Sequence, residues 1–173
     1  MRKKFSKRGN RFLLLCVVGF MAIAVFSRGI HRTPVFGRVP ALQSNEAFVD
    51  RVVDGDTVVL STKERVRYIG MDTPELHHPH KPVQAYAREA MEFNRNLVEG
   101  KRVRLEFDVE RRDKYGRLLA YVYLPDGTFV NAELVRQGYA HTLTIPPNVK
   151  YVDLFVKLQR EARESRRGLW VSR

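Results

Sequence analysis

The sequence has a single cysteine, Cys16, and it lies in the apolar part of an N-terminal leader. The rest of the chain can form no disulfide and no cysteine-based metal site. A folded domain must therefore rest on its own core, and residues 46–173 are enough to supply one. Acidic residues are absent from the first 45 positions, which hold nine of the 31 Lys and Arg residues. From residue 46 onward, 22 basic side chains face 19 acidic ones, so most of the formal +12 charge belongs to the leader. Bulk charge is thus no argument for a polyanionic partner; the placement of charges has to be. Long hydrophobic runs are also lacking. The longest, "FLLLCVVGFMAIAVF" at 12–26, has fifteen residues, short of the ~20 that span a bilayer.

That run follows "MRKKFSKRGNR", the layout of a secretory signal over residues 1–26. It is either cleaved, with "AIA" at 22–24 as a small-x-small site, or kept as a signal-anchor that holds the chain to the membrane through residues 12–26. In both cases the domain is expected to be exported: secreted or periplasmic, or tethered to the outer face of the cytoplasmic membrane. Residues 27–45 contain Pro and Gly without a steady period and read as a linker. Residues 46–173 form the expected domain, expected to be a monomer.

Within that domain the pattern is regular. "FVDRVV", "TVVLST", "ERVRYIGM", "RVRLEFDV" and "RLLAYVYL" read as five strands. In the fourth, Val103, Leu105, Phe107 and Val109 alternate with Arg102, Arg104, Glu106 and Asp108, as in a half-buried strand. "PDG" at 125–127 is a turn. A helical face runs through Val83, Tyr86, Ala87, Ala90, Met91, Leu97 and Val98, and Gly100 stops it. "NAELVRQG" is a short helix. A third helix carries Tyr151, Leu154, Phe155, Leu158 and Ala162 on one face, with Gly168 as its expected cap. Five strands and three helices predict an α+β fold, a five-stranded OB-fold barrel with helices inserted and appended.

"MDTPELHHPH" at 71–80 raises the question of a metal site. The hairpin made by the second and third strands, with "STKE" at 61–64 as its turn, is expected to set Asp56 opposite Asp72. Opposed carboxylates repel, and a cation between them removes the penalty. All-oxygen ligands suit a hard ion such as Ca2+ or Mg2+ rather than zinc. Each motif alone has a plainer reading: "DGDT" as a turn, "DTPE" as a helix start, and Arg67 as an exposed strand residue. His77, His78 and His80 lie in a Pro-broken loop without helical spacing, and they are expected to have no catalytic role.

The ordered set "VDGDTVVL", "RYIGMDTPE", "DKYGRLLAYVY" and "VNAELVRQGYA" resembles the staphylococcal nuclease (thermonuclease) family over about residues 48–170. The resemblance implies an OB-barrel with three helices and Ca2+-dependent cleavage of DNA and RNA. It implies Asp56 and Asp72 as calcium carboxylates, with the Thr73 carbonyl as a third ligand. Arg67, Glu75 and Arg117 are implied as the catalytic trio, and Lys114 and Tyr115 as contacts to the nucleotide phosphate. A catalytically silent nucleic-acid-binding module on the same fold is the alternative. The loop after "VRQGYA" departs from the family. It reads "HTLTIPPNVKY", with Thr144 and Pro146 at the positions of two nucleotide-packing tyrosines, and Tyr139 and Tyr151 as substitutes or core residues.

Overall fold

A computed structural model describes residues 45–76 and 82–171. Five strands close into a barrel: β1 (Glu46–Asp54), β2 (Thr57–Leu60), β3 (Arg65–Tyr68), β5 (Arg102–Glu106) and β6 (Leu118–Tyr123), in the order β1-β2-β3-β6-β5. A two-residue β4 (Met71–Asp72) pairs with β7 (His141–Thr142) beside it. Three helices accompany the barrel: α1 (Ala87–Val98), α2 (Val130–Arg136) and α3 (Val152–Glu164). The expected α+β barrel is therefore the observed one. No described helix is long and apolar enough to cross a membrane. The run at 12–26 and the histidines at 77, 78 and 80 lie outside the described residues.

β-Branched and aromatic residues fill the barrel. Val49, Val58, Val66, Val103 and Val122 are fully or almost fully buried, and closure removes the unpaired edges that such strands would otherwise expose. β1, β2 and β3 form an antiparallel meander, while β3 meets β6 in parallel. Two buried amides tie the helices to this wall. The Tyr68 hydroxyl donates to Asn94 Oδ1 of α1 at 3.0 Å. Asn131 of α2 accepts from the Val122 N–H at 2.9 Å and donates to the Ile69 carbonyl at 3.0 Å.

Three element boundaries differ from the periodicity. α1 begins at Ala87, because Gln84 is occupied elsewhere: its N–H donates to the Glu75 carbonyl, and its side chain accepts from the Glu75 N–H. Val83 is consequently outside the helix and 56% exposed. β5 stops at Glu106. Beyond it Asp108 turns to accept bonds from the Tyr121 hydroxyl and the Lys150 N–H, which leaves Val109 in solvent. α3 ends at Glu164 with Ser165 as its cap, and Gly168 instead opens a short 3-10 turn, Gly168–Trp170.

Candidate active site

The site is assembled where the β1–β2 turn meets the segment after β3. The β2–β3 pairing sets Thr57 against Arg67 and Val59 against Arg65. Asp56 therefore lies opposite Tyr68, whose N–H donates to its carbonyl at 2.9 Å, and not opposite Asp72 as expected. The turn is centred nearer Thr62 than the sequence suggests, with Lys63 in the left-handed region at φ 70°. Asp72 reaches the site by another route. The chain turns at Ile69–Gly70 and enters β4. Gly70 has φ +84°, and a Cβ there would lie 2.2 Å from the Phe155 ring, so both backbone and packing require glycine.

Once there, the two motifs are locked together. Gly55 packs so closely on Thr73 that a Cβ would fall 2.7 Å from its hydroxyl oxygen. The Thr73 N–H and hydroxyl both donate to Asp56 Oδ2 at 3.0 Å, and the Thr57 hydroxyl donates to Oδ1 at 3.0 Å. Arg67 projects from β3 between the carboxylates and ion-pairs with both Asp56 and Asp72. Burial alone would lower the Arg67 guanidinium, but the two carboxylates outweigh it and raise it above its ordinary value.

A further carboxylate, Asp54, joins the cluster. Its pKa is raised to about 6, mainly by burial and then by the nearby charges of Asp56 and Glu75, against hydrogen bonds from the Gly55 and Leu76 backbone. The expected site includes only the second aspartate of "DGDT", Asp56. The signal for the first was present: two Asp residues flank the turn glycine. Glu75 itself is exposed, and its backbone is fixed by the reciprocal pairing with Gln84.

Beside the carboxylates opens a cleft of about 720 Å³. Arg67, Lys114, Tyr115 and Arg117 all line it, with Leu143, Ile145 and Asn148 among the facing residues. Arg117 immediately precedes β6, where Asp113 holds it. The Arg117 Nε donates to Asp113 Oδ2 at 2.6 Å and its backbone N–H to Oδ1 at 3.0 Å. Burial pushes the Asp113 carboxyl up, yet bonds from Arg117 and the Tyr115 N–H hold it below the ordinary range. The Arg117 guanidinium also lies 5.5 Å from the Tyr115 ring centre. Tyr115 is 72% exposed. Neither Tyr139 nor Tyr151 lines the cleft. Tyr139 packs on Phe93 at 4.8 Å, and Tyr151 packs edge-on against Tyr121 while donating to Glu106 at 2.8 Å.

The donor set is oxygen only; burial is the main cause of the raised Asp54 carboxyl, and the smaller part that comes from the charges of Asp56 and Glu75 is what a hard cation relieves. Asp56, Asp72 and the Thr73 carbonyl therefore fit such an ion chemically. Among the described residues no three His, Cys, Asp or Glu side chains converge as a ready-made site. Arg67 takes the bridging position between Asp56 and Asp72 instead.

The chain is similar to known proteins across this same region. A family profile described as "Staphylococcal nuclease homologue" matches residues 65–172. The thermonuclease of Staphylococcus intermedius is 46% identical over 125 residues, covering 70% of this chain and 74% of that protein. The thermonuclease of Staphylococcus hyicus is 38% identical over 125 residues, with 70% and 73% coverage. Endonuclease YncB of Bacillus subtilis (strain 168) is 42% identical over 127 residues, with 70% and 60% coverage. By its barrel, its ordered motifs and these matches, the chain belongs to the staphylococcal nuclease family, which implies a metal cofactor.

Proposed function

We propose that this protein is a Ca2+-dependent nuclease that hydrolyses phosphodiester bonds of DNA and/or RNA. One observation carries the reading: Arg67 and Arg117 line a single cleft, and Arg67 ties that cleft to the carboxylates through its ion pairs with Asp56 and Asp72, with Asp54 near enough to feel the charges of Asp56 and Glu75. Guanidinium groups engage the anionic phosphodiester, and a carboxylate handles the attacking water. The thermonuclease and endonuclease names of the relatives support the same activity.

In this mechanism a phosphodiester lies in the cleft with its non-bridging oxygens toward Arg67 and Arg117. Their planar forks can each engage two oxygens, which a lysine ammonium cannot do in the same way. Glu75 orients water toward phosphorus and takes its proton as the new P–O bond forms. Negative charge grows on the phosphoryl oxygens, and the two arginines stabilise it more than they stabilise the ground state. The opposite P–O bond breaks, and the departing oxygen leaves with a proton from solvent. Asp56, Asp72 and the Thr73 carbonyl would hold the divalent ion, which supplies Lewis-acid stabilisation of the phosphoryl charge when bound. Lys114 and Tyr115, on the rim, contact a phosphate of the nucleotide.

The leader at 1–26 is a signal peptide or signal-anchor, and residues 27–45 link it to the catalytic domain at 46–173. On this reading the enzyme works outside the cytoplasm, in keeping with the Ca2+ available there, and it works as a monomer. The test is cleavage of DNA and RNA with Ca2+ or EDTA, beside Arg67→Ala and Glu75→Gln. Cleavage confined to the wild-type protein with Ca2+ is expected. Intact substrate in every lane, with retained binding, would leave the silent binding module in its place.

A further inference from the structure

A second concavity, of about 600 Å³, lies between β1 and α1. Its lining joins Arg51, Arg88 and Arg95 with Leu76, Val83 and Met91. It shares no lining residue with the arginine cleft. The two are nevertheless joined by one short segment: Met71 lines the cleft, Leu76 lines the groove, and Asp72, Thr73 and Glu75 lie between. On the other wall, Val53 of the groove immediately precedes Asp54. Along the chain, the groove's lining thus adjoins the carboxylate cluster at two points, Val53 next to Asp54 and Leu76 next to Glu75.

Its charge is not absorbed locally. Among the described residues Arg51 and Arg88 have no carboxylate ion-pair partner, and both are exposed. Arg95 is only loosely paired, at 3.7 Å from Glu99, whose carboxylate already accepts from the Val52 N–H at 2.8 Å. Glu92 is the one acidic residue in the lining. Cations interleaved with an aliphatic floor suit a strand that alternates phosphates and bases. They suit an acidic peptide less well, since its apolar and charged groups follow no such fixed alternation.

Building on the nuclease reading, we propose that this groove is a second substrate subsite. It holds the nucleotides of a single strand that extend past the scissile phosphate on the side away from the arginine cleft. Arg51 and Arg88 contact successive phosphates, and Val83, Leu76 and Met91 take the adjoining base. The cleft then positions the reacting phosphate, while the groove confers a preference for chains over dinucleotides.

The experiment uses the full-length protein and the double variant Arg51→Ala/Arg88→Ala. Each is also made in a Glu75→Gln background, so that substrate stays intact for binding. Fluorescence anisotropy is measured with a dinucleotide and with a ten-nucleotide single strand over a salt series. The double variant is expected to bind the longer strand about tenfold more weakly, with the slope of log K against log salt shallower by about 1.4, two phosphates at ~0.7 each. Dinucleotide affinity, dinucleotide cleavage and melting temperature stay unchanged. Arg51→Lys/Arg88→Lys, which keeps both charges, restores most of the long-strand affinity. Equal losses on both lengths, or no loss on the longer strand, would overturn the subsite. Should the double variant melt early, Arg88→Glu alone decides by the same two lengths. If wild-type protein cleaves nothing, the nuclease reading fails by itself, while the length-dependent binding still tests the groove.

Discussion

The candidate site has two halves built on different principles. Asp56 in the β1–β2 turn and Thr57 and Arg67 on the barrel strands are buried or nearly so, and the Asp56 carboxylate bonds Thr57, Arg67 and Thr73. Glu75, Lys114, Tyr115, Leu143 and Ile145 sit on connecting segments and face solvent. In the first half, chemistry and folding draw on the same contacts, so changing one changes the other. In the second half, side chains can be exchanged without disturbing the core.

The largest effect should come from setting Arg67→Ala against Glu75→Gln. Both are expected to reduce cleavage by a factor of about 10²–10⁴. Arg67→Ala should also lower metal-free stability by about 3–5 kcal/mol, because it leaves Asp56 buried without its cation. Glu75→Gln should leave the melting temperature unchanged. Chemical denaturation of both variants in EDTA checks the split, and equal stability would erase the distinction between wall and loop.

A smaller effect, in the direction of gain, should follow Thr144→Tyr. The residue is exposed on the loop that carries Leu143 and Ile145 beside the cleft. A ring there offers base stacking worth about 1–3 kcal/mol. Substrate KM should fall about five-fold or more while kcat and stability hold. A variant that lost stability would show that this loop, too, belongs to the core.

The smallest effect concerns Glu106, at the end of β5 and remote from the cleft. Burial pushes its carboxyl up, but hydrogen bonds from Lys150 and Tyr151 prevail and hold it below its ordinary value. A carboxyl lowered on folding adds stability above its unfolded pKa and loses it as pH falls through the folded value. Glu106→Gln should therefore cost about 1 kcal/mol at pH 7 and progressively less toward pH 3, as thermal melts across that range would show.

Much of this was legible in the sequence, and for identifiable reasons. Strict alternation in "RVRLEF" located β5, and "VDGDT" and "MDTPE" located the carboxylates. Their register was not legible. Hairpin pairing hinges on one turn residue, and the left-handed Lys63 carries no special sequence signal. Asp56 and Asp72 come together through Gly55 against Thr73 and through Arg67, contacts that no spacing rule encodes. α1 began late because Gln84 was engaged by Glu75, a tertiary bond that overrode helical periodicity.

Asn148 carries a consequence of its own. The Glu110 N–H donates to its side-chain oxygen at 2.8 Å, and its side-chain amide donates to the Glu110 carbonyl at 2.9 Å, so that it acts as a one-residue strand joining two distant loops. Both loops line the cleft. With the two loops stitched together at Asn148, their exposed tips become replaceable fittings, free to be refitted for new bases while the gap that admits the phosphate keeps its width.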